Sequence, residues 1–237
     1  MAPTFVSYSE HGSWVTTYPT GQVFSAAVTV ETGDLLLVFS GTGNGNRDMS
    51  TASGGGLTYT LRLKPNADND TGHSDCWFWT AVATANDSFN VQSTFTSPIT
   101  TSCGICVYVW RDATLGAFIG IEDAGTVPLL DLTTTGDGSA VTYFQSDWNS
   151  VNAARTWRTI NSITPTAGNG FEKLFARSGT SQAVYSAYWG DVGTAGVKTT
   201  GLSAPTGELP NAIAVEVLAE AAAPSVMFLR PTQSNQR

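Results

Sequence analysis

The apolar positions of this chain change period within one short stretch. In Val28-Thr29-Val30-Glu31 they alternate with polar ones, and after Thr32-Gly33-Asp34 they run unbroken through Leu35-Leu36-Leu37-Val38-Phe39. Alternation buries one face of a strand and a continuous run buries both, so the second strand is predicted to lie at the centre of packed sheets. The same reading places strands at 22–30, 34–40, 57–63, 76–84, 88–96 and 103–111. A second series is predicted at 117–122, 129–132, 140–148, 155–160, 171–176, 183–191 and 211–218. Turn chemistry separates them: Thr32-Gly33, Gly41 to Gly45, Ser53-Gly54-Gly55-Gly56, Thr135-Gly136-Asp137-Gly138 and Gly168-Asn169-Gly170. Alternation also sets faces. It predicts Leu57, Tyr59, Leu61 and Leu63 toward the core, and in the last strand Ile213, Val215 and Val217 inside with Glu216 outside.

Many short strands with no helical period predict an all-β protein, an antiparallel β-sandwich of two facing sheets with jelly-roll topology. No Pro-rich linker, charge run or repeat divides the chain, so one domain is expected over residues 1–218. A C-terminal arm, 219–237, follows it. There Val226, Met227, Phe228 and Leu229 stand between Pro224 and Pro231, whose rings disfavour a helix, so an extended arm is expected. An apolar arm needs a surface, and a neighbouring subunit is preferred to its own domain.

Composition narrows the function. Of 237 residues only 13% are charged, 24 are glycine, and the formal net charge is −8, with eleven scattered Lys and Arg. Gripping nucleic acid needs clustered cations, so that class is set aside. No apolar run approaches the ~20 residues of a membrane helix, and Met1-Ala2-Pro3-Thr4 lacks the charged-then-apolar pattern of a signal sequence. Synthesis in the cytoplasm without membrane insertion is therefore expected.

Gly33-Asp34-Leu35-Leu36-Leu37-Val38-Phe39 after a short strand resembles a domain found in virion proteins of tailed phages infecting actinobacteria, usually described as minor tail proteins. Leu57-Thr58-Tyr59, Trp77-Phe78-Trp79-Thr80-Ala81, Val107-Tyr108-Val109-Trp110-Arg111 and Ala212-Ile213-Ala214-Val215-Glu216-Val217 agree with that pattern in order. The resemblance implies a non-enzymatic structural protein of the virion that contributes to tail-tip assembly or host attachment and uses no cofactor. Its implied partners are other virion proteins and copies of itself, in a symmetric homo-oligomer, trimer or higher. Two alternatives stay open: a capsid decoration protein that stabilises the head, and a carbohydrate-binding adhesin module that contacts host cell-surface glycans.

Candidate chemistry is sparse. His73-x-x-Cys76 and Cys103-x-x-Cys106 supply the ligand set of a structural zinc site, yet residues three apart on a strand point to opposite faces, so buried free thiols are the preferred reading. Asp68, Asp70 and Asp75 concentrate hard oxygen ligands as calcium requires, although Asx turns explain the same residues. Two histidines and no G-x-S-x-G elbow leave little for nucleophilic catalysis. Among seven tryptophans, Trp148 and Trp189, the latter beside Asp191, combine an indole with amide or carboxylate groups, as a glycan platform would. Core packing is the competing explanation for each.

Overall fold

The computed structural model describes residues 2–10, 22–42, 49–65, 74–95, 103–122, 129–147, 154–166, 172–178, 182–207 and 210–221. Every regular element among them is a strand. The first eight are β1 (Thr4–Glu10), β2 (Gln22–Val30), β3 (Leu35–Thr42), β4 (Met49–Ser53), β5 (Thr60–Leu63), β6 (Asp75–Val82), β7 (Asp87–Phe95) and β8 (Cys103–Arg111). The next are β9 (Ala113–Ile121), β10 (Leu129–Thr134), β11 (Ala140–Asp147), β12 (Thr156–Trp157), β13 (Glu172–Ser178), β14 (Gln182–Trp189), β15 (Gly196–Ala204) and β16 (Pro210–Ala219). Among the described residues no helix is long and apolar enough to cross a membrane.

These strands form four antiparallel sheets, and their order shows that the chain is built twice on one plan. A five-stranded sheet β1-β8-β3-β6-β5 faces a three-stranded sheet β2-β7-β4, and a five-stranded sheet β9-β16-β11-β14-β13 faces a three-stranded sheet β10-β15-β12. Adding eight to each strand number of the first half gives the second half in both sheets. Two bulges of the five-stranded sheets repeat as well. The extra residue of β5 opposite Phe78 and Trp79 has its counterpart in β13 opposite Ser186 and Ala187. The one in β1 opposite Val109 has its counterpart in β9 opposite Glu216.

Three apolar cores hold four layers together. The run Leu35 to Phe39 sends Leu36 and Val38 into an outer core with Val28, Val30, Trp77, Trp79 and Val107. Its alternate residues Leu35, Leu37 and Phe39 enter a central core between the two five-stranded sheets, with Phe78, Tyr108, Trp110, Phe144, Ile213 and Val215. A third core, with Val141, Tyr143, Trp157, Trp189 and Leu202, separates the second half's own sheets. The prediction that this strand buries both faces is met. The reason is that its sheet is sandwiched on both sides.

The central interface is pseudo-twofold. Registers match Leu35 with Ala140 and Trp110 with Val217, so Phe39 and Phe144 are counterparts. Their rings stack on each other at 5.4 Å and 13°. Residues that meet their own counterparts lie on the relating axis, as in an isologous dimer. The flanks are reciprocal: Phe5 of β1 stacks on Tyr188 of β14, and Phe118 of β9 meets Phe78 of β6.

Several expectations are corrected. A single sandwich of two sheets becomes two fused sandwiches with four sheets. Three nested pairs of a jelly roll occur in the first half, β1 with β8, β2 with β7 and β3 with β6, but β4 pairs with β7 and β5 with β6 rather than with each other. Leu61 is half exposed because the β5 bulge breaks the alternation between it and Leu63. Glu216, predicted outside, is fully buried.

Candidate functional site

The proposed zinc ligands do not converge. Cys103 enters the outer core and Cys76 and Cys106 the central one, on opposite faces of one sheet, while His73 lies outside the described residues. All three thiols are free and buried. Burial pushes their ionisation well above the ordinary thiol range, and the neighbouring Asp75 adds to the shift at Cys76. They are core side chains rather than nucleophiles. Of the calcium candidates, Asp68 and Asp70 lie outside the described residues, and Asp75 is a buried strand residue opposite Thr42.

Trp189 is no stacking platform. It is fully buried, meets Trp157 edge-on at 6.2 Å, and its indole N–H donates to the Arg158 carbonyl at 3.0 Å. Asp191 is exposed and accepts the Gly193 backbone N–H at 2.7 Å, which closes a turn. Trp148 and the arm residues Val226, Met227, Phe228 and Leu229 lie outside the described residues.

Two carboxylates missed by pattern reading organise the ends of the halves. Asp34, buried beside the β2–β3 turn, takes a bidentate contact from Arg111, Nε to Oδ1 at 2.9 Å and a terminal nitrogen to Oδ2 at 3.0 Å. Its Oδ2 also accepts the Glu31 backbone N–H at 2.8 Å, and Glu31 in turn pairs with Arg111 at 2.9 Å. Glu216 sits in a cage of donors: the backbone N–H groups of Ala117, Thr135 and Gly136 at 3.0, 2.8 and 3.0 Å, and the Thr135 hydroxyl at 2.9 Å. Burial acts to raise its ionisation, but the backbone donors outweigh it and hold the carboxyl below its ordinary value. The Gly116 site must stay bare, because a Cβ there would meet the Glu216 carboxylate at 2.5 Å.

Among the described residues, a groove of about 680 Å³ opens where the two halves meet. Leu35, Leu57, Val82 and Leu115 give it apolar lining, and Thr60, Thr80, Thr114 and Arg62 add polar groups. Arg62 Nε donates to the Thr80 hydroxyl at 2.8 Å, which fixes one wall. Glu220, just past β16, stands at its edge, held by its backbone N–H to the Asp112 carbonyl at 2.7 Å. None of the described lining residues is aromatic, so a sugar ring finds nothing to stack on there. No family model matches the chain, and comparisons with curated proteins and with solved structures find no match either.

Proposed function

We propose that this protein is a non-enzymatic structural component of a tailed-phage virion, contributing to the tail tip and packing there against copies of itself and other virion proteins. What supports the reading is where the segments of resemblance fall. Four of the five occupy β3, β6, β8 and β16, the strands that build the central core. A fingerprint that falls mainly on packed strands belongs to a scaffold rather than to a reacting site. The edge strand β9, Ala-Thr-Leu-Gly-Ala-Phe-Ile-Gly-Ile, carries no charge and leaves Phe118 and Ile119 exposed, as a strand open to pairing with a neighbour would.

The test is the copy number of the chain in purified particles of the phage that encodes it, with antibody labelling to place it. The expected result is a few copies, on the order of three to six, around the tail axis. Labelling of a head lattice at hundreds of copies would replace the tail reading with capsid decoration. Absence from particles would remove the virion reading.

A further inference from the structure

The two flanks of the central interface are counterparts, yet only one is filled. On the first flank Phe5 stacks on Tyr188 at 4.5 Å and meets Trp110 edge-on at 5.5 Å. Strand registers give the second-flank counterparts: Leu115 for Phe5, Thr80 for Tyr188 and Val217 for Trp110. Each replaces an aromatic ring with a smaller side chain. Leu115 and Thr80 line the groove of about 680 Å³, so the groove occupies the space that an aromatic cluster fills on the opposite flank.

We infer that this groove is the docking site of the chain's own C-terminal segment Val226-Met227-Phe228-Leu229, with Phe228 taking the place that Phe5 takes on the other flank. Three observations commit it to this occupant. Glu220 lines the groove, so the chain leaves its last strand at the groove's edge, pinned there by the bond to Asp112. Phe228 follows eight residues later, and an extended chain of that length reaches roughly 26 Å, ample to return along the groove. A lining that mixes apolar side chains with threonine hydroxyls suits an extended peptide, which offers apolar side chains and backbone polar groups together. Attachment to Glu220 also gives the segment an effective concentration that a separate chain matches only when crowded. The inference rests on the groove and stands independently of any place in a virion.

Limited chymotrypsin digestion of the full chain reads the docking directly, through cleavage after Phe228. The double variant Leu115→Phe/Thr80→Tyr copies the filled flank into the groove, and is expected to speed that cleavage about tenfold or more, since the burial of one Phe side chain no longer has to be undone first. Hydrogen exchange gives a second readout in case the double variant misfolds. Phe228→Ser should raise exchange at Ala81, Val82, Thr114 and Leu115, and leave Phe5 and Tyr188 unchanged. Cleavage that is already fast in the native chain, with exchange indifferent to Phe228→Ser, would overturn the docking. Protection that fades as the protein is diluted would assign the groove to another copy's segment and overturn the intramolecular form proposed here.

Discussion

The halves of this molecule share a plan and close it with different chemistry. In the first half the turn into the central strand is clamped by Asp34 and Arg111, and Val109 of β8 packs into the outer core. At the matched positions the second half has Ser139, Leu218 and Glu216. Among the described residues no ion pair clamps that turn. Instead the carboxylate that replaces Val109 gathers the β10–β11 loop through Thr135 and Gly136 and reaches across to Ala117 on the edge strand. One fold thus accepts an ion pair at its rim or a charge in its interior, provided every buried donor and acceptor is matched. The clamp pairs its buried carboxylate with a cation, Arg111, that keeps partial contact with water, whereas Glu216 is held by backbone N–H groups and a hydroxyl, so the second half rests on a single charge.

The comparison breaks first at the axis both halves share. Phe144→Ala opens a cavity in the central core and should cost about 3 to 5 kcal/mol. Because that core belongs to both halves, urea melts followed by tryptophan fluorescence and by circular dichroism should shift together; two separated transitions would mean that the halves unfold independently.

Glu216→Ala should be next, at about 3 kcal/mol, because it strands three backbone donors at once. Asp34→Ala should cost less, about 1 to 2 kcal/mol, since Arg111 can turn to solvent. A melt series in which Asp34→Ala proves the more damaging would reverse the contrast. Acid sharpens it further. Glu216 is held below its ordinary value when folded, so its stabilisation is complete above the unfolded carboxyl's value of about 4.3 and is lost as pH falls through the lower folded value. Glu216→Gln should therefore be less stable than wild type at neutral pH and close the gap below about pH 4. A gap that stays constant with pH would show that the charge is not what the cage binds. The smallest effect belongs to Asp191→Ala, an exposed turn residue, at about 0.5 kcal/mol by differential scanning calorimetry.

The fold class was legible because burial on two faces leaves an unmistakable run at Leu35 to Phe39, and 22–30 and 103–111 coincide with β2 and β8. Strands β1, β4 and β15 escaped prediction. In β15 Gly196, Lys198 and Gly201 dilute the alternation, and Val197 faces water. The duplication left no trace in the letters: across the matched positions of β3, β6 and β8, only Phe39 and Phe144 are the same residue type. Packing constrains size and face at each position, not identity. The groove was invisible for a related reason. It is made by what Leu115 and Thr80 lack relative to Phe5 and Tyr188, a difference that has meaning only once the strands are superposed.

Gly41 and Ser146 also face each other across the axis, and a Cβ on Gly41 would lie 2.9 Å from the Ser146 Cβ. In a dimer of identical chains, any residue on the axis must fit against itself. Glycine there would meet glycine and leave a gap; serine would meet serine and collide. Joining both halves in one chain lifts that restriction, so a small residue can be set against a larger one. The near-symmetric seam is in this sense freer than a symmetric one: each side can mutate to suit the other, and the departures from symmetry, the groove among them, become heritable features of one polypeptide.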